Sequence, residues 1–173
     1  MIFLGDPRRL HKKYSKPGHP WQKERLQEEL PYIGKYGLRN KKELWKHRTQ
    51  IGRFRQLART FLGVKTETST RQEAVLIKKL NRLGLIPENA TLDDVLSLTV
   101  EDLMERRLQT IVFRKGLANT IYQARQLITH GHIAVNSKVI KNPGYIVSIS
   151  EEPSISYALN SPVKIKGDAK ASA

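Results

Sequence analysis

The sequence predicts a mostly helical α+β protein, with a basic helical N-terminal domain followed by a smaller helix-helix-β-hairpin domain. Apolar residues recur at helical spacing over most of the first 130 positions, and the rhythm changes to strand-like alternation after Gly131. At 173 residues and 39% hydrophobic content, the chain can bury the core of one or two domains.

Residues 1–19, most of them in the stretch "GDPRRLHKKYSKPGHPW" that begins at Gly5, combine Pro, Gly, Lys and Arg with few aliphatics and read as an extended basic arm. Pro20 suits a first helical turn, and "PWQKERLQEEL" should run until Pro31 and the Gly34–Gly37 region interrupt it. Trp21 and Trp45 are expected in packing roles. Asn40 followed by Glu43 resembles a capping box for "KKELWKHRTQIGRFRQLARTFLG". There Leu44, Ile51, Phe54, Ala58 and Phe61 approximate one apolar stripe. A third helix should open at Ser69 or Thr70 and end at Gly84, burying Val75, Leu76, Leu80 and Leu83. Thr91 with Asp94 starts a short helix, and Thr99 with Asp102 a longer one reaching about Lys115. This helical domain spans residues 20–102.

The second domain spans 103–150. Gly116 separates two helices, and Asn119 or Thr120 can cap the second, "IYQARQLITH". Ile121, Ala124, Leu127 and Ile128 form its inward stripe. Gly131 permits a left-handed end, Ile133 and Val135 alternate inward around Ala134, and "NSK" turns the hairpin. "YIVSI" reads as a last strand, and residues 151–173 as a C-terminal strand and mobile tail.

Charge narrows the partner. The chain has 31 Lys/Arg against 16 Asp/Glu, a formal +15, and residues 1–65 carry 17 against 5. Such self-repulsion is offset by a polyanion, nucleic acid first and an anionic membrane second. The arginines ring the second helix too widely for a membrane-surface face. With no cysteine, disulfides and thiolate metal sites are excluded. No apolar run approaches the roughly 20 residues of a membrane helix, and "MIFL" is too short for a signal peptide, so a cytoplasmic protein is expected. Enzyme motifs are missing: there is no P-loop and no GxGxxG after a strand, and helix capping accounts for the paired acids.

From Arg106 to Ser150 there are seven Lys/Arg and no Asp or Glu. The candidate RNA contacts here are Arg106, Arg107, Arg114, Lys115, Asn119, Thr120, Gln123, Arg125, Gln126, His130, His132, Asn136 and Lys138. In the arm and helical domain they are Arg8, Arg9, Lys12, Lys13, Arg48, Arg53, Arg55 and Arg59. Rigid cations beside Gln, Asn and His suit a shaped RNA backbone rather than base-edge reading in DNA. His130 and His132 lack nearby carboxylates to complete a metal or catalytic set, so RNA contact or helix-end bonding is the simpler role, and no metal or cofactor is expected.

"RRLQTIVFRKGLANTIYQARQLITHGHIAVNSKVI" closely resembles the RNA-binding module named after small-subunit ribosomal protein S-four. Together with "GDPRRLHKKYSKPGHPW" and the helices after it, nearly the whole chain resembles the archaeal and eukaryotic branch of that family. The resemblance implies a primary binder of small-subunit ribosomal RNA that nucleates assembly of the subunit body. It also implies a place near where messenger RNA enters, an influence on decoding accuracy, and an S-five-type ribosomal protein as neighbour. Similar archaeal proteins begin at a Met-Gly-Asp-Pro point, so "MIFL" reads as an upstream start or an added arm. The cysteine zinc site of many bacterial members is absent. A free-standing RNA chaperone or ribosome-rescue factor, and less readily an RNA-modifying enzyme, are the alternatives for the module alone.

Overall fold

The computed structural model describes residues 12–19, 21–63 and 67–162. Helix α1, Lys23–Lys35, runs through Pro31 instead of stopping there. The ring is on an exposed side of the helix, and its local cost is one missing N–H bond and crowding of the carbonyl one turn earlier. The stop comes at Gly37, whose φ is +56°. A Cβ at Gly37 would lie 2.8 Å from the Ile121 side chain, so the second domain packs directly on this turn. The expected start at Pro20 lies outside the described residues. Trp21 is 87% exposed, contrary to a packing role, whereas Trp45 is half-buried and donates its indole N–H to Glu29 Oε1 at 3.1 Å.

Helix α2, Lys41–Gly63, buries Leu44, Ile51, Phe54 and Ala58 as its stripe requires. Asn40 Oδ1 accepts from the Glu43 backbone N–H at 3.2 Å. The Glu43 carboxylate serves two arginines of the second domain instead of completing a capping box. Helix α3, Glu67–Arg82, starts two residues before Ser69 and buries Leu76 and Leu80, but Val75 is 67% exposed and Leu83 only half-buried. Gly84, at φ +71°, ends this segment. Helices α4, Leu92–Ser97, and α5, Val100–Glu105, begin at complete capping boxes, Thr91 with Asp94 and Thr99 with Asp102.

The single helix expected from Thr99 to Lys115 is broken at Arg106 and Arg107, and α6 is Leu108–Arg114. The break has a tertiary cause. Val147 N–H donates to Arg106 O at 2.9 Å and Leu108 N–H to Tyr145 O at 2.8 Å, so the returning chain claims this backbone and Arg107 turns inward. Helix α7, Ile121–Thr129, is capped by Thr120, whose hydroxyl accepts from Gln123 N–H, and ends before Gly131 at φ +80°.

Strands β1, Ile133–Val135, β2, Lys138–Val139, and β3, Ser156–Tyr157, form an antiparallel sheet in the order β2-β1-β3. Asn136 and Ser137 have φ of 47° and 64°, the two left-handed residues a tight hairpin needs. Ala134, expected to point outward, is buried because its strand is central. "YIVSI" makes only one bridge, Arg107 to Ile146, and is not a strand; the third strand comes later in the chain. The expected mobile tail falls mostly on residues outside those described.

Packing is divided among three clusters. Phe54, Ala58, Leu76, Leu80 and Val95 centre the helical domain, while Leu108, Val112, Ala124, Ile128, Ile133 and Val147 centre the second. Tyr36, Leu38, Leu44 and Met104 fill the space between α1, α2 and α5. Helix α2 contacts α1, α3, α4 and α5.

Candidate nucleic-acid interface

Glu43 joins the two domains. Arg107 is 1% exposed; its Nη2 donates to Glu43 Oε2 at 2.7 Å, and its Nη1 lies 2.9 Å from His47 Nε2. Arg125 Nη2 donates to Glu43 Oε1 at 2.7 Å, and its Nη1 to Gln109 Oε1 at 3.3 Å. Gln109, also buried, donates to Gly37 O at 3.1 Å and Ile121 O at 3.0 Å. One carboxylate thus holds two guanidiniums, and one amide ties the α1 turn to the first turn of α7.

The electrostatics follow from this geometry. Burial pushes the Glu43 carboxyl up, but the Arg125 and Arg107 guanidiniums outweigh it and hold the group below its ordinary range. Burial, reinforced by the Arg107 charge, lowers His47 to about 4. A guanidinium can only donate, so His47 Nε2 accepts from Arg107 and the ring is neutral. Burial also lowers Arg107, against the raising effect of Glu43.

Several candidate contacts therefore prove to have internal partners. Arg107 is sealed from any ligand, and Arg125 is half-buried against Glu43. Arg106 donates to Glu152 Oε2 at 2.7 Å and to Val147 O at 3.2 Å. Arg55 donates to Leu98 O. Arg114 pairs with Glu105 at 2.7 Å but stays exposed, and Lys115 donates to Glu152 O. Thr120 and Gln123 form a reciprocal cap, since Asn119 N–H donates to Gln123 Oε1 at 2.8 Å. The acids absent from the Arg106–Ser150 run are brought to it by folding, from Glu43, Glu105 and Glu152.

Other candidates face solvent. Lys12, Lys13, Arg48, Arg53, Arg59, Gln126, His130, Asn136 and Lys138 are exposed, and His132 is half-buried. The His130 and His132 rings stack at 6.3 Å between centroids, and His132 Nδ1 lies 3.1 Å from Ser161 Oγ. Arg8 and Arg9 lie outside the described residues. Among the described residues no group of three His, Cys, Asp or Glu is placed to hold a metal, and no helix is long and apolar enough to cross a membrane.

Above the Glu43 junction lies a groove of about 690 Å³ between the domains. Lys13, Lys46, Gln50, Arg53 and Lys79 line it from one side, Arg125, Asn142, Pro143 and Gly144 from the other, with Arg107 and Glu43 between them. Apart from the buried Arg107, five cations thus share its walls with a single acid. Sequence reasoning left Lys46, Gln50 and Lys79 out of the candidate contacts. The signal was there: Lys46, Gln50 and Arg53 recur at helical spacing beside the buried stripe of α2.

Both halves match known families. Residues 8–105 match the ribosomal protein S4/S9 N-terminal domain, and residues 106–152 the S4 domain. The small ribosomal subunit protein uS4 of Ignicoccus hospitalis is 57% identical over 159 residues, 92% of this chain and 96% of the relative. Those of Hyperthermus butylicus, 55% identical over 92% of this chain, and Saccharolobus solfataricus, 54% over 93%, are each covered to 90%. The two domain matches meet at Arg106, where the helix is broken and the buried arginines begin. With that architecture and these identities, the chain belongs to the uS4 family, structural and non-enzymatic components of the small ribosomal subunit.

Proposed function

We propose that this chain binds small-subunit ribosomal RNA as a primary assembly protein, with the interdomain groove at the centre of its footprint. The observation that carries this is the groove itself: cations from two domains converge on one concavity, and Glu43 and Gln109 fix those domains against each other. A rigid array loses little entropy on binding, so it suits a protein that meets folded RNA early and fixes a junction of RNA helices. In this reading the chain nucleates assembly of the subunit body, works in the cytoplasm as a ribosome-bound monomer, adjoins an S-five-type ribosomal protein, and contributes to decoding accuracy where messenger RNA enters.

The direct test is binding of small-subunit ribosomal RNA over a range of KCl concentrations. Log affinity should fall linearly with log salt, by about 0.7–0.9 for each phosphate neutralised. Lys46→Ala and Lys79→Ala should each cost about 1–3 kcal/mol and flatten that slope by about one. Wild-type affinity and slope in both variants would remove the groove from the footprint. For assembly, omission of the protein from an in vitro reconstitution should leave body RNA unprotected, whereas late addition with full recovery would rule out a nucleating role.

A further inference from the structure

Helix α2 carries a glycine that the protein itself does not require. Gly52 lies in the middle of a 23-residue helix, it is exposed, and a Cβ built on it would meet no atom within 4 Å. Its φ is not positive, so no turn demands it. Helix-interior glycine is destabilising relative to alanine, because the unfolded chain loses more freedom and no side chain covers the backbone. A glycine on an open helix face, with neither a steric nor a conformational reason inside the molecule, leaves room for something outside to come close to the backbone.

What comes close is indicated by the surroundings. Gly52 forms part of a groove of about 650 Å³ between α2, α1 and the arm, which shares only Arg53 with the interdomain groove. Lys16, Arg25, Arg48 and Arg53 line it against one acid, Glu29. That acid is already neutralised: it is buried, lies 3.5 Å from Arg25 and 3.4 Å from Lys41, and accepts the Trp45 indole N–H. The arm is fixed along the groove, because Ser15 N–H donates to Thr49 Oγ1 at 3.0 Å while Thr49 donates to Trp45 O at 2.7 Å. Beyond Gly52 the next depression is less basic: apart from the neutralised Glu29, it sets Lys35, Arg48 and Arg55 against Glu28 and Glu101. A polyanion is therefore attracted most strongly on the arm side of Gly52.

We infer that this groove is a second RNA seat, in which one sugar-phosphate strand lies along α2 with a ribose against Gly52 and its phosphates on Arg48 and Arg53. The inference deepens the RNA-binding reading and rests on it. The strand is held by shape as well as charge, and that separates the glycine from the arginines experimentally.

The test compares Gly52→Ala, Gly52→Leu and Arg48→Ala in the full chain, using small-subunit ribosomal RNA as the probe. Both glycine variants should fold and melt higher than wild type, by about 2–4 °C for Gly52→Ala. Gly52→Leu should weaken RNA binding by about tenfold with an unchanged salt slope, because it blocks approach without removing a charge. Gly52→Ala should weaken it less. Arg48→Ala should weaken binding and flatten the slope. Wild-type affinity in Gly52→Leu overturns the seat, and so does a lowered melting temperature in either glycine variant, since the glycine would then have an internal purpose. Failure of wild-type protein to bind the RNA would instead overturn the broader reading.

Discussion

Glu43→Gln keeps the shape of the interdomain junction and removes its only negative charge. Two guanidiniums then face each other across a neutral amide: Arg107, with a 1% exposed side chain, and Arg125, with 20%. Breaking a buried ion pair typically costs about 3–5 kcal/mol, because a charge is left without compensation. Glu43 is itself 18% exposed, and Arg125 can turn partly into the groove, so solvent recovers some of this. A loss of about 3 kcal/mol follows. In a chain of this length each kcal/mol lowers Tm by about 2–4 °C, giving a drop of roughly 6–12 °C. Urea denaturation gives the free energy, and the exposed Arg114–Glu105 pair, cut by Arg114→Gln, supplies a control expected to change by about 0–1 kcal/mol. Adding Arg125→Gln to Glu43→Gln should recover part of the loss, with a coupling of about 0.5–3 kcal/mol, since the second change removes one unpaired charge. If Glu43→Gln loses less than about 1 kcal/mol, the junction behaves as an ordinary surface ion pair and the account of a rigid interdomain clamp is wrong.

His47 is lowered from 6.5 to about 4, so between those values the folded state binds fewer protons than the unfolded one, and stability should fall as pH falls through that window. The loss is about 3 kcal/mol in all; His47→Gln should flatten the profile there, and a profile unchanged by the substitution would refute the buried neutral ring. Glu43, also lowered, adds its own loss only below its ordinary value of 4.5, so the two are separable in the same titration. Ile128→Ala, at a fully buried site in the second core, should cost about 2–5 kcal/mol by urea denaturation and leave the RNA salt slope unchanged. Ser137→Gly, at φ 64° in the hairpin turn, should gain about 0.5–1 kcal/mol, and a loss would mean the turn is not of the two-residue left-handed type.

The helices were legible because their start signals are local. Thr91 with Asp94 and Thr99 with Asp102 are three residues apart, and each box formed as its spacing requires. Where the reading failed, the deciding partner was distant. The break at Arg106 and Arg107 depends on backbone of Tyr145 and Val147, about 40 residues away, and no helix-propensity argument can see it. Val75 illustrates a different limit: α3 buries a narrower stripe than its apolar content allows, with Leu76 and Leu80 buried and Ile77 packed beside them.

Charge shows the same limit with a functional consequence. Seven cations between Arg106 and Ser150 without a local acid look like a surface made for a polyanion. Yet Arg107 and Arg125 meet Glu43 from 64 and 82 residues away, Arg106 meets Glu152, and Arg114 meets Glu105. Four of the seven are matched by acids outside the run, and the three least exposed, Arg106, Arg107 and Arg125, are spent on architecture. The cations left facing solvent are concentrated on the helical side, where Lys46, Arg48, Arg53 and Arg59 follow the turns of α2 and Lys13 and Lys16 flank them from the arm. The solvent-facing charge beside the interdomain groove is therefore weighted toward α2, with the second domain lining the groove from the opposite side. A substitution scan should find its strongest salt-slope effects along α2, and its strongest stability effects at the arginines of the second domain that had looked most like RNA ligands.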